Sequence, residues 1–310
     1  MGSPRCRPGH NIAPVTSHSR VVRPASGLAI VPALLGLVRF PHTVFALPFA
    51  FAGALMATNA VPPWPTLGWI LLAMVGARSL AMALNRLVDR RLDSLNPRTA
   101  GRHLPTGRLS TGQVRIFAAA SLAALLGAVS QLPEITWWLW PVPVALFVVY
   151  PYTKRVTWAC HVVLGVSIGI APLGGWIAVT GEFALAPVLL AVAVALWIAG
   201  FDIIYALLDA AHDREAGIHS VPVRFGEVGA LRIAGALHAG TIVMLALAGV
   251  AALVTWPYYA GLAGCALVLV WEHATARPGD DARIQAAFGT ANGVLSLVFL
   301  AGVITGVGLA

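Results

Sequence analysis

ALNRLVDRRLD, residues 83–93, and FDIIYALLDAAHD, residues 201–213, decide how this chain is read. Each ends a long apolar run. The first carries Asn85, Asp89 and Asp93, the second Asp202, Asp209 and Asp213. Residues four apart on an α-helix are turned by about 40° and raised by about 6 Å, so 85, 89 and 93 share one face. Asp209 and Asp213 do the same, and Asp202, seven residues earlier, falls on that face again. Ionisable side chains are costly at membrane depth and mark function there. If the two helices face each other, their oxygens make a hard ligand set that suits Mg²⁺, an ion that also keeps phosphate oxygens as ligands.

Working outward, composition makes the chain a membrane protein. Of 310 residues 58% are hydrophobic and only 10% are charged, and the mean hydropathy is +0.82. The length accommodates one helical membrane domain. About nine spans are expected, near 30–57, 67–89, 114–131, 137–151, 159–180, 184–208, 231–254, 257–274 and 285–308. The expected architecture is an all-α bundle over 28–310. Residues 1–27, rich in Pro, Arg, Ser and His, read as a disordered tail and not as a signal peptide. Cys6, Cys160 and Cys265 show no metal-ligand spacing and no disulfide framework.

Orientation comes from the basic residues. All 20 Lys and Arg fall on one side, in the tail, in alternate connections or in the spans just beside them, the richest connection being the one that begins at Arg90. The intervening connections TNAVPPWPT, SQLPEIT, VTGEFAL and VTWPY have none. The basic side, and with it the N-terminus, is expected in the cytoplasm. The net charge of +8 is explained by this bias and an anionic ligand, with no nucleic acid.

Both acidic clusters lie on that side among the arginines. Carboxylates hold Mg²⁺, the metal bridges diphosphate oxygens, and Arg or Lys takes up the remaining charge. An apolar interior beneath accommodates a hydrocarbon tail, so a lipid diphosphate is the expected substrate. Asn85-x-x-x-Asp89-x-x-x-Asp93 resembles the first metal motif of the UbiA superfamily of intramembrane prenyltransferases, and Asp202-x6-Asp209-x-x-x-Asp213 resembles the second. YPYTK, 150–154, is similar to the Tyr-x-x-x-Lys element between them. NPRTAGRHLPTGRLS, 96–110, and RFPHTVFALPFA, 39–50, resemble stretches of the 4-hydroxybenzoate polyprenyltransferase-like subgroup.

The resemblance implies a reaction and roles. A polyprenyl diphosphate loses its diphosphate with Mg²⁺ assistance, and an aromatic acid attacks the allylic cation. The implied acceptor is 4-hydroxybenzoate, in the ubiquinone route, or 1,4-dihydroxy-6-naphthoate, in the futalosine route to menaquinone. The membrane interior keeps water from the cation. Asp89, Asp93, Asp209 and Asp213 are the implied metal ligands, with Asn85 and Asp202 beside them. Arg90, Arg102 and Lys154 are candidate diphosphate anchors, and Tyr150 steadies the diphosphate or the cation. Arg78, seven residues before Asn85 and two turns deeper, is the candidate for the acceptor carboxylate, followed by Arg39 and His42. The implied setting is a bacterial inner membrane with the site facing the cytoplasm and no obligate protein partner.

Plainer readings compete. Tyr150 and Lys154 also suit an interfacial belt, Arg78 a snorkelling charge, and His161, His238 and His273 structural positions. The glycines of VLGVSIGIAPLGGW, 163–176, suit close helix packing. A secondary transporter also uses repeats and buried charge, but its polar residues would sit near the midplane. Here they gather at one face, and a shift of 120 residues relates Asp89 and Asp93 to Asp209 and Asp213.

Overall fold

The computed structural model describes residues 24–38 and 46–308, so Arg39, His42 and most of the expected tail lie outside the described residues. The described chain is helical, with no strand among those residues. The helices are α1 (Ile30–Leu37), α2 (Leu47–Thr58), α3 (Trp64–Leu95), α4 (Thr111–Val129), α5 (Glu134–Leu139), α6 (Pro141–Thr153) and α7 (Cys160–Gly169). They continue with α8 (Ala171–Thr180), α9 (Leu185–Ala206), α10 (Ala210–Glu215), α11 (Val221–Ala251), α12 (Trp256–Thr275), α13 (Asp281–Ala286) and α14 (Asn292–Gly308).

Seven stretches are long and apolar enough to cross a membrane: α3, α4, α5–α6, α7–α8, α9–α10, α11 and α13–α14. The chain is an integral membrane protein. The other two expected spans appear as the shorter α2 and as α12, whose apolar run ends at Glu272 and His273. Prolines explain several divisions, because proline lacks an N–H and suits a first turn. It stands there in α2, α6 and α8. The single span expected over 30–57 is therefore two helices, and α5 and α6 meet at Pro141.

Two features set where the acids stand. The 32 residues of α3 are about 48 Å long at 1.5 Å each, against a hydrocarbon core of about 30 Å. Its last turns, with Asn85, Asp89 and Asp93, extend towards the polar zone. The second cluster departs from the single face expected for it. A 3₁₀ turn at Leu207–Asp209 separates α9 from α10. A 3₁₀ turn has three residues and a steeper rise, so Asp209 and Asp213 are displaced relative to Asp202.

Helices pack in the pairs α3–α4, α7–α9, α9–α11, α12–α14 and α2–α8. Small residues permit the close approaches. A Cβ on Gly165 would lie 2.3 Å from the Ala195 carbonyl oxygen, and one on Gly53 would lie 2.0 Å from that of Pro172. Lipid tails are as apolar as leucine, so such close packing supplies cohesion where burial alone gives little. Phe49, Trp197 and Phe299 fill the centre, with Phe49 ring centroids 5.0 and 4.8 Å from the other two. Val142, Leu247, Leu267 and Val270 face outward, as lipid contact requires.

Candidate active site

A polar cavity of about 310 Å³ lies between the ends of α3, α6, α7 and α9, beneath the loop 96–110. Asn85, Asp89, Asp93, Asp202, Asp209 and Asp213 all line it. The helical spacing of four in α3 puts its three members on the wall as expected, all of them buried.

Each cluster meets cations from another element. Lys154 Nζ donates to Asp89 Oδ2 at 2.6 Å, and Arg155 Nη2 lies 3.4 Å from Asp89 Oδ1. Asn85 Nδ2 donates to Asp89 Oδ2 and to the Tyr150 hydroxyl, both at 3.1 Å. Arg102 Nη1 donates to Asp93 Oδ1 at 2.6 Å. Across the cavity, Arg98 forms a two-pronged pair with Asp209, with Nε 2.8 Å from Oδ1 and Nη2 on Oδ2. Asn96 Nδ2 joins Oδ1 at 2.8 Å, and Arg98 Nη1 donates to the Tyr205 hydroxyl at 2.9 Å. Burial opposes the Arg98 charge, but its hydrogen bond to Asp209 and that residue's negative charge outweigh the burial, and the guanidinium pKa is raised. Asp202 is held by His161, with Nδ1 to Oδ2 at 2.7 Å. His161 Nε2 accepts from the Val221 N–H, so Nδ1 is the nitrogen that donates to the carboxylate.

The structure therefore gathers Asn85, Asp89, Asp93, Asp202, Asp209, Asp213, Tyr150, Arg102 and Lys154 at one cavity, and Arg78 as well. Arg90 is excluded. It is exposed and does not line the cavity, because the residue after Asp89 is turned about 100° around the helix. Arg98, Asn96, Tyr205 and Arg155 were not expected as site residues. Arg98 and Asn96 had a signal in the Asn-Pro-Arg step directly after α3, and Arg155 in the Lys-Arg pair that directly follows α6. His161, expected to be structural, lines the cavity.

An apolar cavity of about 380 Å³ adjoins the polar one, walled by residues such as Met74, Leu125, Phe147 and Ile177. Arg78, Asn85 and Tyr150 line both. Arg78 Nε is buried there without a hydrogen-bond partner among the described residues.

The donor set fits a hard divalent cation in kind: carboxylate and amide oxygens around one cavity, with Asp93 Oδ2 buried and lacking a hydrogen bond among the described residues. Among those residues no three His, Cys or carboxylate side chains converge closely enough to hold an ion as they stand. Asp89, Asp93 and Asp209 are turned instead to Lys and Arg. An anion that drew those cations away would free the oxygens.

Comparison with known proteins adds to this geometry. Over 231 residues the chain is 35% identical to the 4-hydroxybenzoate octaprenyltransferase of Alcanivorax borkumensis, covering 69% of this chain and 79% of that protein. The apo structure of a UbiA homolog from Aeropyrum pernix K1 is 32% identical, with a TM-score of 0.78, covering 85% of this chain and 97% of that one. A UbiA homolog from Archaeoglobus fulgidus, bound to GPP and Mg²⁺, shares the fold at 20% identity, with a TM-score of 0.69 and coverage of 89% and 99%. Residues 46–302, which hold both acidic clusters and both cavities, match the UbiA prenyltransferase family, and the chain belongs to that family.

Proposed function

We propose that this chain transfers a polyprenyl group from polyprenyl diphosphate to 4-hydroxybenzoate, with Mg²⁺, in a bacterial cytoplasmic membrane and with its site open to the cytoplasm. The observation that carries the reading is the meeting of a carboxylate- and Arg-lined cavity with an apolar one, Arg78, Asn85 and Tyr150 forming the shared wall. A prenyl diphosphate has one end for each. The acceptor follows from the likeness to the 4-hydroxybenzoate octaprenyltransferase, which favours hydroxybenzoate over a naphthoate.

Asp89, Asp93, Asp209 and Asp213 would hold the metal, with Asn85 and Asp202 beside them. Bound Mg²⁺ supplies charge neutralisation of the departing diphosphate. Arg98, Arg102 and Lys154 turn from their carboxylates to the diphosphate oxygens and hold its charge both on binding and as the C1–O bond breaks. Tyr150, fixed by Asn85, stands at the shared wall, where the reacting carbon would lie. The apolar walls keep water from the allylic carbon while the acceptor ring carbon bonds to it and loses its proton. Arg78 takes the acceptor's carboxylate. Membranes holding the protein, given labelled polyprenyl diphosphate and Mg²⁺ with each aromatic acid in turn, should label 4-hydroxybenzoate. Label on another acid alone would overturn the acceptor.

The proposed orientation has its own test. Thr99 is a poor reporter, because it is buried and its Oγ1 donates to the Asp93 carbonyl at 2.9 Å. Gly101, in the same loop, is exposed, and an added Cβ meets nothing within 4 Å. After removal of native cysteines, Gly101→Cys should resist a membrane-impermeant thiol reagent added to intact cells, and Gln131→Cys should react. The reverse pattern would overturn the orientation.

A further inference from the structure

Glu272 is fully buried in α12, outside both cavities, yet a carboxyl at such a place is costly and needs a reason. Its Oε1 lies 3.5 Å from Asn292 Nδ2, itself fully buried at the start of α14. Asn292 follows a π-turn at Ala287–Ala291. In a regular α-helix the Asn292 backbone N–H would bond the Phe288 carbonyl. Here that N–H goes to the Gly289 carbonyl, and the Asn292 side chain donates to Phe288 O at 2.7 Å instead. Glu272 thus stands against the amide that bonds Phe288 O, with its other oxygen 3.6 Å from His238 Nδ1.

The turn delivers one side chain to the site. Phe288 lines the polar cavity, and its ring packs on Tyr205 at 4.3 Å and on the edge of Phe201 at 5.4 Å. Tyr205 in turn accepts from Arg98, whose guanidinium also lies 5.1 Å from that ring and pairs with Asp209. The contacts run without a gap from Glu272 through Asn292, Phe288 and Tyr205 to Arg98.

We infer that Glu272 and Asn292 are positioning residues for the Arg98–Asp209 arm, acting through the π-turn that seats Phe288 against Tyr205. The inference rests on the reading of the polar cavity as the diphosphate site. The buried carboxyl is kept because a relaxed α-helical turn would withdraw Phe288 and leave Tyr205 and Arg98 free to swing.

The test is steady-state kinetics of the full chain in lipid, with geranyl diphosphate and 4-hydroxybenzoate varied separately. Asn292→Ala should raise the KM for the diphosphate about tenfold, the effect of losing one hydrogen bond's worth of orientation, while the acceptor KM and kcat hold within about twofold. Glu272→Leu should show the same loss, and Glu272→Gln, which keeps an oxygen for the Asn292 amide, should recover most of it. In a Tyr205→Phe background, which already lacks the bond to Arg98, Asn292→Ala should add less than about twofold. Equal effects in both backgrounds, or a uniform loss of active protein with both KM values unchanged, would overturn the inference. Should Asn292→Ala fail to fold, the Glu272→Leu and Glu272→Gln comparison decides on the same readout. If the wild-type protein transfers no prenyl group, the functional reading falls and this inference with it. Normal wild-type turnover with unaffected variants removes the inference alone.

Discussion

Asp89→Ala and Asp209→Ala should each abolish turnover, by about a thousandfold or more, while the protein still inserts in the membrane. Each residue is the centre of its cluster. Asp89 gathers Lys154, Arg155 and Asn85, and Asp209 gathers Arg98 and Asn96. Without either carboxylate one side of the cavity loses its metal oxygens and leaves cations uncompensated. The diphosphate could still be drawn in by charge, but its departure would lack assistance. Single-turnover assays with labelled prenyl diphosphate check this, and wild-type activity should vanish with EDTA and return with Mg²⁺. Full activity in either variant would remove that cluster from the metal site.

Arg78→Ala should raise the acceptor's KM about ten- to a hundredfold, since a hydrogen bond to a charged group contributes about 1.5–3 kcal/mol. The prenyl diphosphate KM and kcat should change far less, because a contact present equally in ground and transition states appears in KM. Arg78 is well placed for this task. It lines both cavities, and its Nε is buried without a hydrogen-bond partner among the described residues. A guanidinium in that state is poised for a carboxylate. An equal rise for both substrates would assign Arg78 to general packing and move the carboxylate site towards Arg39.

The acidic clusters were legible in the sequence because helical periodicity alone sets a face. Asn85, Asp89 and Asp93 needed no tertiary information, and α3 runs unbroken through all three. The second cluster was less legible. The 3₁₀ turn at Leu207–Asp209 lies within the stretch 201–216, which contains neither proline nor glycine, so nothing local announced it. Cation partners were the least legible part. Arg90 adjoins Asp89 in the chain but points elsewhere, whereas Arg98 reaches Asp209 across 111 residues because the loop 96–110 folds over the cavity. Glu272 carries no mark in the sequence, since a single acid near a helix end reads as interfacial until packing shows it buried.

The two acidic clusters are proposed to bind metal jointly with a diphosphate. The most direct measurement is anomalous scattering from Mn²⁺ in crystals grown with a non-hydrolysable prenyl diphosphate analogue. Metal density is expected in the polar cavity, ligated by carboxylates from both α3 and the 209–213 segment. Arg98, Arg102 and Lys154 should lie on the diphosphate, and the prenyl chain in the apolar cavity. Metal bound elsewhere, or an analogue seated there with the Arg98–Asp209, Arg102–Asp93 and Lys154–Asp89 pairs intact, would contradict it.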